Sequence, residues 1–263
     1  MKRILLRIAY DGTDYAGWQI QKNAVTVESV LTEALRDLLK EKIELIGASR
    51  TDAGVHALGN VAVFDTETRI PPEKIAIAVN QRLPDSIRVQ SSEEVTKKFH
   101  PRYCDSIKTY EYTILNASIA IPTESRYSYH VYRNLDIIAM RKAAEVLVGT
   151  HDFSAFCSAG SQVKSKVRTI IKVEINEIPL ASFFRNYPQR KIVIRVSGTG
   201  FLYNMVRIIV GTLVEAGEGR RSIETVREAV EKGERNLAGP TAPPQGLMLI
   251  GIQYKKQADM MEK

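Results

Sequence analysis

The sequence predicts an α+β fold in which a β-α-β-β-α-β order of elements occurs twice, with mainly antiparallel sheets. Two observations predict it. Apolar residues recur with alternating or helical spacing in that order over residues 1–104, and the same order repeats over residues 105–263. The join falls near residues 97–107 with no low-complexity linker, so the two domains are expected to share a tight interface. A cleft between them is the natural place for a site.

In the first domain, Ile4, Leu6, Ile8 and Tyr10 alternate as in a strand. Thr26 offers an N-cap, Glu28 stands in the first turn, and Val27, Val30, Leu31, Ala34, Leu35 and Leu38 follow at helical spacing. Residues 43–47 and 61–65 read as strands around a polar, glycine-containing loop. Pro72 opens a second helix to about Gln81, and residues 87–90 form another strand. In the second domain, strands are expected at 108–115, 128–132, 167–176, 191–197 and 247–253. Helices are expected at 137–148, 202–216 and 223–231. The order is the ferredoxin-like pattern.

Hydrophobic residues make up 44% and charged residues 25%, the proportions of an ordinary globular protein. No apolar run approaches the length of a membrane span, and Arg7 interrupts the place where a signal peptide needs an apolar core. Cys104 and Cys157 are far apart, which argues against a disulfide framework or thiolate metal site and for a cytoplasmic protein with free thiols.

The net charge is +7. Residues 105–263 carry 22 basic and 16 acidic residues, against 15 and 14 in residues 1–104. The excess is concentrated between Gly160 and Arg221, where Lys164, Lys166, Arg168, Arg185, Arg190, Lys191, Arg195, Arg220 and Arg221 stand. Such a strip fits a phosphate-backbone footprint, although a basic surface that binds nothing acidic is the plainer alternative. Lys164, Lys166 and Arg168 lie on a loop entering a strand, and Arg220 and Arg221 at a helix end. Both places are expected to be exposed and to contact phosphates.

The loop from Gly47 to Ala57 holds an acid, a base, hydroxyls and an imidazole among small residues that admit a bulky ligand. Its Asp52 has the chemistry of a nucleophile, a general base or a metal ligand, or of a carboxylate capping its own turn. A metal reading with His56 lacks further ligands. The stretch from Leu202 to Val214 is apolar nearly all round, with Arg207 as its only charge. A buried guanidinium needs an anion unless it reaches solvent, and Asp52 is a suitable partner. Tyr110, Tyr112 and Ile114 share one face of a strand, either as core or with one ring placed to stack on a base. Gly198-Thr199-Gly200 lacks the third glycine of a dinucleotide loop, and His151-Asp152 with Ser154 reads as structural.

These motifs together resemble those of the tRNA pseudouridine synthase A (TruA) family. The likeness runs through Tyr10-Asp11-Gly12-Thr13, Gly17-Trp18-Gln19, the stretch from Arg50 to Ala57, and Phe99-His100 with Arg102. It continues through the stretch from Lys108 to Tyr112, His151-Asp152-Phe153, the stretches from Gly200 to Arg207 and from Ala238 to Pro243, and Gly246-Leu247. Ser49 stands where the family usually has Gly, and Pro101 where it often has Ala. The resemblance implies Asp52 as catalytic aspartate, Tyr110 as active-site tyrosine and Arg207 as the arginine paired with the aspartate. It implies that Arg50 helps extrude the target base, and that Phe201 and Leu247 line the base pocket. It further implies a tRNA substrate modified at uridines 38, 39 and 40 of the anticodon stem-loop, no cofactor, no metal and a homodimer. The alternative is a non-catalytic RNA-binding or RNA-folding protein on the same scaffold. The usual RNA-recognition aromatic motif is absent, and Asp52, Tyr110 and Arg207 would have no role in simple binding.

Overall fold

A computed structural model of the chain describes residues 1–160, 163–180 and 189–255. Among these, five α-helices accompany mostly antiparallel β-structure, a mixed α+β architecture. The chain divides into two compact units. One is Met1–Ile107 with the described residues from Met248 on; the other is Lys108–Leu247.

The first unit begins with β1 (Lys2–Tyr10), α1 (Val27–Leu39), β2 (Ile46–Gly47), β3 (His56–Thr66), α2 (Pro72–Asn80) and β4 (Ile87–Val95). β1 lies between β4 and β3, antiparallel to both. Its central position explains why Ile4, Leu5 and Leu6 are all buried, where alternation would expose Leu5. Thr26 caps α1 through a reciprocal pair. The Ser29 N–H donates to Thr26 Oγ1 at 3.2 Å, and the Thr26 N–H donates to Ser29 Oγ at 3.1 Å. β4 runs five residues past the expected Gln90, because Arg3 and Ile4 of β1 pair with Val95 and Glu94. The strand expected at 43–47 shrinks to β2, paired to β3 at Gly47 and Ala62. β3 begins at His56, earlier than expected.

The second unit holds β5 (Ser106–Asn116), β6 (Tyr129–Val131), α3 (Ile137–Glu145), β7 (Gly149–Asp152), β8 (Val167–Pro179), β9 (Arg190–Gly198), α4 (Met205–Gly217) and α5 (Ile223–Lys232). Its strand order is β5-β9-β8-β7, antiparallel throughout, with β6 parallel beside β5. α3 packs on α4 and β8. β7 was not legible in the sequence, since Gly-Thr-His-Asp has no apolar periodicity. It exists through its pairing of Gly149–Asp152 with Ile170–Val167. α4 starts three residues later than expected, after Asn204, which takes a left-handed conformation at φ 60°.

The last strand, β10 (Leu247–Tyr254), corrects the domain bounds drawn from sequence, which gave all of 105–263 to the second domain. From Met248 it clusters with the first unit. Met248 and Leu249 pair in parallel with His56 and Ala57, which is also why β3 starts early. The Tyr254 hydroxyl donates to Pro101 O at 3.1 Å, and its ring meets Phe99 edge-on at 4.9 Å.

Candidate active site

Asp52 lies on the loop between β2 and β3, half-buried, between exposed Ala53 and buried Thr51. Small residues let other backbone pass close behind this loop. A Cβ on Gly12 would stand 2.0 Å from Val55 O, and one on Gly17, whose φ is +88°, would stand 2.6 Å from Thr51 O. The Trp18 N–H donates to Thr51 O at 3.0 Å, and the Gly54 N–H to Tyr15 O at 3.3 Å. The Val55 N–H donates to Asp52 O at 3.1 Å, closing a turn in which Gly54 has φ +76°.

Buried polar groups hold the loop from below. The Tyr10 hydroxyl and Thr51 Oγ1 share a hydrogen bond of 2.7 Å. Asn60 Nδ2 donates to Tyr10 Oη at 3.2 Å and to Ser49 O at 3.1 Å. The Gly12 N–H donates to His56 Nδ1 at 3.0 Å, and that nitrogen also stands 3.1 Å from Asp11 Oδ1. One nitrogen cannot both accept from Gly12 and donate to Asp11. The Gly12 backbone and the Asp11 carboxylate thus meet the ring at one nitrogen. His56 therefore serves the scaffold. Ser49 Oγ is buried with no hydrogen-bond partner among the described residues. Arg50 is exposed beside the carboxylate-bearing turn. Among the described residues no three His, Cys, Asp or Glu side chains gather as a metal site would require.

In the second unit, β5 separates the two tyrosines that the sequence left equivalent. The Tyr112 hydroxyl donates to Pro243 O at 2.7 Å, and a Cβ on Gly246 would lie 2.6 Å from its ring. Burial pushes the Tyr112 phenol far above its ordinary pKa. It is a strut of the core. The Tyr110 ring is also buried, and it meets Phe201 edge-on at 5.2 Å. Leu247 is buried where β10 begins.

Arg207 occupies the first turn of α4, where the helix dipole disfavours a cation by roughly 0.3–1 kcal/mol. It is half-buried and held by directed bonds, not trailing into solvent. Its Nε donates to Ala242 O at 2.7 Å and Nη1 donates to Asn204 Oδ1 at 2.8 Å. Asn204 Nδ2 in turn donates to Ser158 Oγ at 2.9 Å, and the Ala242 N–H returns to Arg207 O at 3.1 Å. The segment from Ala238 to Ala242 is strapped onto α4. A Cβ on Gly211 would stand 1.8 Å from Pro240 O, and the Gly239 N–H donates to Thr212 Oγ1 at 2.8 Å. Asn204 and Ser158 escaped sequence reasoning. An Asn just before an apolar helix is a cap signal, but it acts here on Arg207 instead of on backbone N–H groups.

The basic strip is largely neutralised within the chain. Arg190 pairs with Glu177, Lys191 with Glu124 at 2.7 Å, and Arg195 with Glu111 at 2.7 Å. Arg220 pairs with Glu215 at 3.0 Å and with Glu218. Arg221 is not exposed as expected. Its side chain keeps 15% of its surface, meets Glu215 at 2.7 Å, and donates to the carbonyls of Leu237 and Ala238. It anchors the start of the strap. Lys164 is exposed, while Lys166 and Arg168 are half-buried; Arg168 Nη1 donates to Ser165 O and Val167 O. Arg185 lies outside the described residues.

Residues 7–104 and 143–255 match the sequence model of a family described as tRNA pseudouridine synthase. The chain belongs to that family. It is 46% identical over 254 residues to a tRNA pseudouridine synthase A of Thermoanaerobacter sp. (strain X514), covering 97% of this chain and 100% of the relative. With the same coverage of each chain, it is 46% identical over 255 residues to that of Acetivibrio thermocellus and 44% over 254 to that of Clostridium acetobutylicum. The stretches matched to the synthase family include Asp52 and its anchors Tyr10 and Asn60, and Arg207 with its partners Asn204 and Ala242. Tyr110 falls in the interval between them.

Proposed function

We propose that Asp52 is the nucleophile with which this tRNA pseudouridine synthase isomerises uridine to pseudouridine, at positions 38, 39 and 40 of the anticodon stem-loop. The observation that carries the proposal is the Asp52 loop itself, a half-buried carboxylate on a turn fixed from behind by glycine contacts and from below by buried hydrogen bonds. Preorganisation of this kind is what covalent catalysis asks of a nucleophile.

The target uridine must leave its stack, at a cost of roughly a few kcal/mol that phosphate contacts offset. Arg50 assists that extrusion from beside the turn. Asp52 attacks C6 of the ring or C1′ of the ribose. The N1–C1′ bond breaks, the freed uracil turns, C5 bonds to C1′, the bond to the Asp52 oxygen is released, and the proton lost from C5 is balanced by one gained at N1. Tyr110 and Phe201 confine the uracil as it turns, with Leu247 adding apolar surface. Arg207, held by Ala242 O and Asn204 Oδ1, is the cation proposed to act in catalysis.

The strand order β4-β1-β3, with β2 on the far edge of β3, supports reading the first unit as ferredoxin-like, and the second as an elaborated relative of it. Lys164, Lys166 and Arg168 are the proposed phosphate contacts. Arg221 takes part through the strap it braces, and Arg220, paired with Glu215 and Glu218, is kept as a phosphate contact at the helix end. No helix among the described residues is long and apolar enough to cross a membrane. The working form is proposed as a cytoplasmic homodimer in which one tRNA touches both subunits.

The test is incubation of purified protein with unmodified tRNA, without cofactor, followed by mapping of pseudouridine. Asp52→Asn is expected to abolish product while tRNA affinity stays within a few-fold, because the amide is nearly isosteric and a far poorer nucleophile. Appreciable turnover by that variant would remove Asp52 from the role. An equal loss of binding and rate would make it structural, and absence of product from the wild type would favour a binding protein.

A further inference from the structure

The motif Phe99-His100 with Arg102 is not used by the reaction as written, yet it builds an ordered surface feature. Tyr103 is 83% exposed, the most exposed of the large apolar side chains among the described residues. Single exposed aromatics are ordinary. This one is backed by a second ring, since His100 stacks on it at 4.1 Å between centroids and 20° between planes. The pair is fixed by a tight turn in which the Tyr103 and Cys104 N–H groups both donate to His100 O at 3.1 Å. The Arg102 N–H donates to His100 Nδ1 at 3.2 Å. Burial first, then the charges of Arg102 and Arg3, hold His100 below its ordinary pKa, so the stacked ring is neutral at pH 7.

Charge surrounds the rings. Arg102 Nε donates to Gly47 O at 2.7 Å, tying the turn to the start of the Asp52 loop. Burial, and next the charge of Arg50, lower the Arg102 pKa, as expected for two guanidiniums that repel each other. The carboxylate that acts on Arg102, Glu28, already accepts the Ile20 N–H at 2.9 Å. Two cations close together beside a rigid, open aromatic face are the elements of a single-strand nucleic-acid subsite, where rings take bases and guanidiniums take phosphates.

We propose that Tyr103, backed by His100 and flanked by Arg102, which Arg50 in turn neighbours, is a stacking platform for an unpaired base of the substrate tRNA. It rests on tRNA being the substrate and is independent of Asp52 being the nucleophile. Bases within a duplex offer no free face, so the platform takes a loop or extruded nucleotide. It acts in binding and does not touch the reacting atoms.

The experiment uses the full chain and an unmodified anticodon stem-loop RNA. Tyr103→Ala is expected to raise Kd about tenfold, within the range for loss of one stacked base, with kcat at saturation unchanged. Tyr103→Phe stays within about twofold, since the ring and not the hydroxyl is used. Tyr103→Trp adds a fluorophore whose emission is quenched by the stem-loop and not by a blunt RNA duplex of equal length. Trp18, the only native tryptophan, is fully buried and gives a constant background. Unchanged affinity in Tyr103→Ala overturns the proposal. So does weakened binding without quenching in Tyr103→Trp, because a ring that merely props the turn would behave that way. A wild type that fails to modify tRNA would instead refute the choice of substrate.

Discussion

Asp52 and Arg207 are both half-buried charges that a stretch of chain must aim, and they are held by different means. The Asp52 turn has Tyr10, Thr51 and Asn60 side chains sharing hydrogen bonds beneath it, besides the backbone contacts at Gly12 and Gly17. Arg207 rests on backbone, with a carbonyl from a strap that lies directly against α4. Side chains can rearrange when one member is lost. A backbone carbonyl such as Ala242 O has no rotamer to change, and its strap is pressed onto Gly211 through Pro240 O. The second arrangement is expected to be the more brittle of the two.

The largest effect should come from Arg207 itself. Arg207→Met is expected to lower kcat/KM for tRNA by about a hundredfold or more, and Arg207→Lys to recover little, because a point charge cannot reproduce a planar fork bonded to Ala242 and Asn204. Steady-state kinetics check this, and a lysine variant near wild-type rate would break the comparison. Next comes Gly211→Ala. Its Cβ must displace Pro240 O, so unfolding free energy should fall by about 1–3 kcal/mol, with a loss of kcat as the Ala242 carbonyl shifts. Denaturant titration and kinetics on the same preparation measure both.

On the other side of the comparison, Tyr10→Phe removes one hydroxyl from the network under Asp52. A stability loss of about 1–3 kcal/mol with only a several-fold loss of kcat is expected, since Asn60 still holds Ser49 O. A collapse of kcat as large as that of Arg207→Met would erase the contrast. Ser49→Ala should be neutral or slightly stabilising by thermal melt, because the buried Ser49 hydroxyl has no partner among the described residues to lose. The smallest effect per residue is expected on the surface. Replacing Lys164, Lys166 and Arg168 together with Ala should weaken tRNA binding uniformly. It should also flatten the salt dependence of binding, by about one unit of log–log slope for each phosphate no longer neutralised. Arg221→Met should instead lower stability, since its bonds are internal.

How much was legible differs along the chain. The Asp52 loop announced itself by composition, because an acid among glycine, alanine and hydroxyl residues signals close backbone approach. The choice between Tyr110 and Tyr112 was not legible, because both occupy one strand face. The Tyr112 hydroxyl is committed to the Pro243 carbonyl, 131 residues away, a pairing that strand spacing does not reveal. β7 and the early start of β3 were hidden for a related reason. Both exist through pairing with distant strands, and neither carries apolar periodicity of its own.

The sequence by itself determined the class, most of the helices and strands, and the family, since local spacing and ordered motifs are properties of the chain as a string. Tertiary structure alone decided which charges stand open. Arg190, Lys191, Arg195, Arg220 and Arg221 count as basic in any composition, yet each meets a carboxylate. It also decided where the last described strand belongs, returning β10 from Met248 on to the first unit. Charge and periodicity are local, whereas pairing depends on which distant residues the fold brings within a few ångströms.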